Sequence, residues 1–255
     1  MCHNVEIGSI LLSYMKKIIY CLSLFFFIQL HSDSLKSRFK QAQIGDYIVT
    51  AQESSYSLLL IRSLSDQLLL EEISVPEKQI DLKSIDWRKW LLNKAPGHTS
   101  WHLYTIDLKT GKLLDCFSLS KKEWISLENQ EQFFAQLFQL ELQATPDQER
   151  KRIGPKTTSE IDQRKIWSPP LIHEGKKCKE PTFAVMHTHW PSDTSPLSGC
   201  RIELYFDSKR PTFPFPYWIE IKSPHYAYKV RIVDSGHHLT LPQIKVINNP
   251  FHTEK

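Results

Sequence analysis

Residues 45–75 read GDYIVTAQESSYSLLLIRSLSDQLLLEEISV. Three short runs rich in apolar and β-branched residues, Tyr47–Ala51, Tyr56–Ile61 and Gln67–Val75, are separated by Gln52–Ser55 and Ser63–Asp66. Runs of this length, bounded by polar and turn-forming residues, predict strands, and connections this short predict antiparallel neighbours. Gly45-Asp46 opens the meander, and Pro76, which lacks an amide hydrogen, closes it.

Working outward, residues 84–94 predict a helix. Ser84 is placed to cap it, Ile85, Trp87, Trp90, Leu91 and Leu92 give it an apolar face, and Pro96-Gly97 ends it. Trp101–Leu108 and Lys112–Leu119 predict a hairpin turning at Lys109-Thr110-Gly111. Ser120-Lys121-Lys122-Glu123 has the pattern of a capping box. It predicts a second helix, starting there or a few residues later, running to about Leu142 and carrying Phe133, Phe134, Leu137 and Phe138 on one side. Residues 144–181 are polar and proline-bearing and predict a long basic loop. Its part from 150 to 181 holds nine Lys or Arg against four Asp or Glu. Strands return at Thr182–Trp190, Cys200–Phe206, Tyr217–Lys222 and Tyr226–Val233. The expected fold is mainly β (α+β): a curved, largely antiparallel sheet or open half-barrel of eight to ten strands, with two helices packed on it.

At the other end of the chain, Lys16-Lys17 precedes an apolar run of 13 residues from Ile18 to Leu30, and Ser32 and Ser34 follow. This order predicts a signal peptide over 15–32, cleaved after Ser32 or Ser34, and hence a periplasmic or secreted protein. A spanning helix needs about 20 apolar residues. The expected organisation is a leader at 1–32, one sheet-rich domain at 33–241 and a loosely ordered tail at 242–255.

The formal net charge of +4 is too mild to imply nucleic acid as a partner. No nucleophile elbow, phosphate-cradling glycine loop, Cys-x-x-Cys or His-Glu-x-x-His occurs, and no cofactor is indicated. Two constellations remain. His187 and His189 alternate onto one side of a strand, about 7 Å apart, a spacing that suits two ligands of a zinc ion or two ordinary histidines on a half-exposed strand. Further ligands would have to come from His173, Asp193, Cys200 or His237-His238. The aromatic residues Trp87, Trp90, Trp101, Phe133, Phe134, Phe138 and Trp218 either line a groove for an apolar ligand or form core. Of the thiols beyond the leader, Cys178 and Cys200 enclose the shortest stretch of chain and flank one strand, so any internal bridge is expected there, with Cys116 a buried thiol.

Arg201–Asp207, Phe215–Ile221 and Ala227–Asp234, with a proline-bearing turn between the first two, resemble the later hairpins of the periplasmic lipoprotein-carrier (LolA-like) family. The resemblance implies an open, curved antiparallel sheet and short helices around an apolar cavity for acyl chains, and so a lipid or lipoprotein as partner. Residues 146–181 are not part of that family's pattern. Through Ala95-Pro-Gly-His-Thr-Ser-Trp101 and Phe213-Pro-Phe-Pro-Tyr-Trp218 the chain also resembles uncharacterised exported proteins of chlamydia-type bacteria, which implies no activity. Three functions follow as expectations: a non-enzymatic envelope protein that binds an apolar ligand or lipidated partner in a concave sheet; an assembly module that meets an envelope protein partner through the basic loop; or a metal enzyme centred on His187 and His189.

Overall fold

The computed structural model describes residues 33–52, 54–127, 131–155, 162–223 and 227–240. The expected leader at 1–32 and the expected loose tail at 242–255 lie outside the described residues. In chain order the elements begin with β1 (Asp33–Ser34), α1 (Leu35–Lys40), β2 (Tyr47–Gln52), β3 (Ser55–Leu64) and β4 (Gln67–Pro76). Then come α2 (Trp87–Leu92), β5 (Ser100–Asp107), β6 (Leu113–Ser118), β7 (Glu123–Trp124), α3 (Glu131–Gln139) and β8 (Glu141–Ala144). The last are β9 (Ile172–His173), β10 (Lys176–Lys177), β11 (Phe183–His189), β12 (Arg201–Asp207), β13 (Trp218–Lys222) and β14 (Ala227–Gly236).

The protein is mostly β, with three short helices among the described residues. Twelve strands form one antiparallel sheet, in the order β1-β8-β11-β12-β13-β14-β2-β3-β4-β5-β6-β7, while β9 and β10 form a separate hairpin. The meander read from residues 45–75 is β2–β3–β4, and the pairing of β14 with β2 joins it to the C-terminal meander. The sheet is not closed, since its terminal strands are β1 and β7. It is nevertheless strongly curved. β5 and β8 stand eight places apart, about 38 Å in a flat sheet. Yet Tyr104 of β5 and Leu142 of β8 line one cavity of about 430 Å³.

Each face of the sheet carries its own core. On the concave face Ile48, Leu68, Leu70, Ile106, Ile202, Leu204 and Ile232 pack under α1 and α3. On the convex face Val49, Tyr56, Leu58, Leu60, Ile73 and Val75 pack under Trp87, Trp90 and Leu91 of α2. A strand covered on both sides has no polar face to show, which is why β3 and β4 read as continuous runs such as Leu58-Leu59-Leu60-Ile61.

The helices differ in detail from the sequence reading. α1 was not anticipated. Ser34 caps it, with the Ser34 and Ser37 hydroxyls each bonded to the other's backbone N–H, and Leu35 and Phe39 give a buried stripe one turn apart. Asp86 rather than Ser84 caps α2, its carboxylate accepting from the Lys89 N–H at 3.0 Å, while Ser84 donates to Asp81. Asp86→Ala should therefore lower stability by about 1 kcal/mol, read from the midpoint of denaturant unfolding, whereas Ser84→Ala should change it little. Ser120–Glu123 does not open a helix. Lys122 sits at φ 58°, and the chain turns back so that Trp124 pairs with Phe117, ring centroids 5.0 Å apart. That cross-strand aromatic contact outweighs the local capping pattern, and α3 begins only at Glu131.

Candidate functional site

The concave face holds a cavity of about 430 Å³, within the range of small-ligand sites, about 300–1,000 Å³. Its floor is built from alternate residues of eight strands, β2–β5 and β11–β14. Leu59 and Leu70 come from the N-terminal meander, and Ile202, Leu204, Ile219, Ile221 and Val230 from the C-terminal one. Register explains the convergence: Ile202 faces Ile221, Leu204 faces Ile219, and Ile219 faces Val230 on adjacent strands. The roof is α1 and α3, through Leu35, Phe39, Phe134, Leu137 and Phe138. The Phe39 and Phe138 rings stack at 5.2 Å, and Phe215 meets Phe39 edge-on at 5.3 Å. Leu142 of β8, and Trp190 and Leu197 beyond β11, close one side.

Few polar groups reach this space. Thr50, Gln52, Glu72, Tyr104 and Thr188 line it. The Tyr104 hydroxyl donates to Glu72 Oε2 at 2.8 Å. Burial first, and the Glu72 carboxylate second, push this phenol well above its ordinary range, so it keeps its proton. Thr50 Oγ1 donates to the Ser57 carbonyl at 3.2 Å.

Of the aromatic residues singled out in the sequence, Phe134 and Phe138 line the cavity. The side chain of Phe133 lies outside the described residues. The four tryptophans do not line the cavity. Trp87 and Trp90 stand in the convex core, edge-to-face at 5.4 Å, and Trp101 packs against that core and donates to Glu71 at 2.6 Å. Trp218 meets Trp167 edge-to-face at 5.0 Å, and Trp167 also meets Tyr205, the partner of Trp218 across β12 and β13.

Trp167 belongs to the basic segment, so around this residue the segment packs against β12 and β13. Lys151 lies over the Trp167 ring at 4.4 Å, Arg152 and Arg164 pair with Asp162, and Glu149 pairs with Arg201 of β12. Further on, Glu174-Gly175, at φ 48° and 72°, forms the tight turn of the β9–β10 hairpin.

His187 and His189 share a face of β11, ring centroids 6.2 Å apart. His187 Nδ1 lies 3.2 Å from Thr145 Oγ1, and burial holds its pKa below the ordinary value. The other candidate ligands are engaged elsewhere: Asp193 accepts from Trp190 and Ser195, His237 pairs with Asp46 at 2.6 Å, and His173 stands beside Ser235 and His237. Among the described residues no three His, Cys, Asp or Glu side chains are grouped to hold a metal ion.

No disulfide joins Cys178 to Cys200, so the expected bridge is not formed. Cys178 donates its backbone N–H to the Leu171 carbonyl beside the β9–β10 hairpin, whereas Cys200 lies just before β12. Cys116 is buried on the same face as Tyr104. Burial, then Glu72 and Asp115, push its thiol up to about 12, leaving it a poor nucleophile.

A family model described as CT021 protein matches residues 57–179, from within β3 to the end of the basic segment. The chain is similar in structure to the hypothetical protein CT021 from Chlamydia trachomatis, solved at 2.0 Å, with a TM-score of 0.60 and 21% identity. The match covers 85% of this chain and 98% of that one, and at this identity it shows a shared fold. No curated protein matches the chain.

Proposed function

We propose that this protein holds the hydrocarbon part of a lipid or of a lipidated partner in the cavity between the concave face of the sheet and helices α1 and α3. One observation carries the reading: a space of about 430 Å³ in a chain of this size is lined mostly by Leu, Ile, Phe and Val. A hydrocarbon chain in that space would make dispersion contacts with these apolar side chains, and each methylene buried there contributes about 0.8 kcal/mol. The resemblance of residues 201–234 to the lipoprotein-carrier family supports the same role. The apolar run behind Lys16-Lys17 supports its being carried out outside the cytoplasm.

Leu137→Trp tests it. Leu137 is a half-buried cavity wall on α3, so the larger ring enters the cavity rather than the packed core. Titration with a fluorescent fatty-acyl probe should show affinity at least about tenfold weaker than wild type, with the thermal midpoint little changed. Unaltered affinity in a folded variant, or no uptake by the wild type, would overturn the proposal.

A further inference from the structure

We infer that the cavity selects a neutral amphiphile whose head group donates hydrogen bonds, of the monoacylglycerol kind, over an ionised fatty acid; this rests on the reading that the cavity holds hydrocarbon. The argument begins with polarity along the strands. On the concave side of β3 and β4, Ile61 faces Leu70, Leu59 faces Glu72, and Ser57 faces Ser74, with Thr50 of β2 next to Ser57. The face therefore passes from hydrocarbon, through a single carboxylate, to a shelf of neutral hydroxyls. The Ser57 and Ser74 hydroxyls lie 2.8 Å apart, and Gln52 ends the shelf at the exposed rim. A tail packed among the leucines and phenylalanines places its head beside Glu72, Thr50 and Gln52.

What that corner offers is mainly acceptors. Among the described lining residues Glu72 carries the one formal charge, and no Lys, Arg or His lines the cavity. Arg38 of α1 is turned onto the Phe206 ring, 3.6 Å from its centroid, and paired with Asp33. His102 stands opposite Glu72 across β4 and β5 but outside the lining. Of the lining hydroxyls on β2 and β5, beside Glu72, Tyr104 is spent on Glu72 and Thr50 on the Ser57 carbonyl. A carboxylate head would meet a like charge with no cation to neutralise it, in a partly desolvated site where repulsion is strong. A hydroxyl head can donate to Glu72 or to the Gln52 amide oxygen at no such cost.

The test is competition for the bound fluorescent probe by monopalmitoylglycerol and by palmitate, below their micellar concentrations and at a pH where palmitate is ionised. The neutral lipid should displace the probe at a concentration at least about tenfold lower than palmitate. Glu72→Gln should narrow that ratio to within about threefold by making palmitate the better competitor it was not. Equal potency of the two in the wild type, or a ratio that Glu72→Gln leaves untouched, would overturn the head-group inference while leaving hydrocarbon binding intact. Failure of the wild type to bind the probe at all would remove both.

Discussion

Trp90→Ala should destabilise the protein by about 3–5 kcal/mol and leave hydrocarbon uptake intact wherever the variant is folded. Trp90 is 5% exposed; it meets Trp87 edge-on and donates from Nε1 to the Pro96 carbonyl at 3.0 Å. Removing the indole opens a void between α2 and the convex face of β3 and β4, and it frees a carbonyl in the turn that ends the helix. The surrounding side chains come from strands pinned on their other face by the concave core, so the site has little room to collapse, which places the cost in the upper part of the range for core truncation. For a unit of this size the loss corresponds to a thermal shift on the order of 10 °C. The uptake measurement separates two roles for an aromatic residue. A tryptophan that lined a ligand groove would lose affinity with little change in stability, and that outcome at Trp90 would contradict its place in the convex core.

The position of these tryptophans shows where the sequence is informative and where it stops. Alternation is legible in β13: Trp218 shares its face with Glu220, and Ile219 shares the other with Ile221. An all-apolar pair marks the cavity side, so the pattern already turned Trp218 away, even though its size drew attention. No such signal exists for α2. Its apolar stripe fixes that it must pack on a sheet, but both faces of β3 and β4 are apolar, and nothing local says which of them receives it. The cavity was hidden for a related reason. It is assembled by register between strands far apart in the chain, Leu59 and Leu70 on one side and Ile202 and Leu204 on the other, and by two helices of which α1 is only six residues long. The basic segment is legible as a loop from its composition, but its anchoring is not: Asp162 pairs with Arg152 and Arg164, the half-buried Trp167 meets Trp218, and Leu171 is buried in the concave core.

Gly45→Ala should cost about 2–5 kcal/mol, because two separate penalties meet at that residue. Gly45 was legible as the opening of the first strand, and the structure shows why glycine is needed there. Its φ is 92°, a conformation that L side chains rarely adopt. A Cβ at this position would also lie 2.8 Å from the Leu239 nitrogen and 2.9 Å from the His238 Cα. Those are backbone atoms, and they cannot swing aside as a side-chain tip can. They are held by hydrogen bonds on both sides of the contact: Leu239 N–H donates to the Gly45 carbonyl at 3.1 Å, and Gly45 N–H donates to the Ile61 carbonyl at 2.9 Å. The pairing of His237 with Asp46 ties the same two segments together. Pushing them apart strains the junction of β2 with the end of β14, where the two meanders become one sheet. Gly199→Ala supplies the comparison. Its φ is 69°, but no atom lies within 4 Å of an added Cβ, so only the conformational penalty applies, about 1 kcal/mol. Chemical unfolding of both variants should therefore show Gly45→Ala clearly the less stable. Equal losses at the two positions would mean that the junction yields, and that the two halves of the sheet are not rigidly joined at β2 and β14.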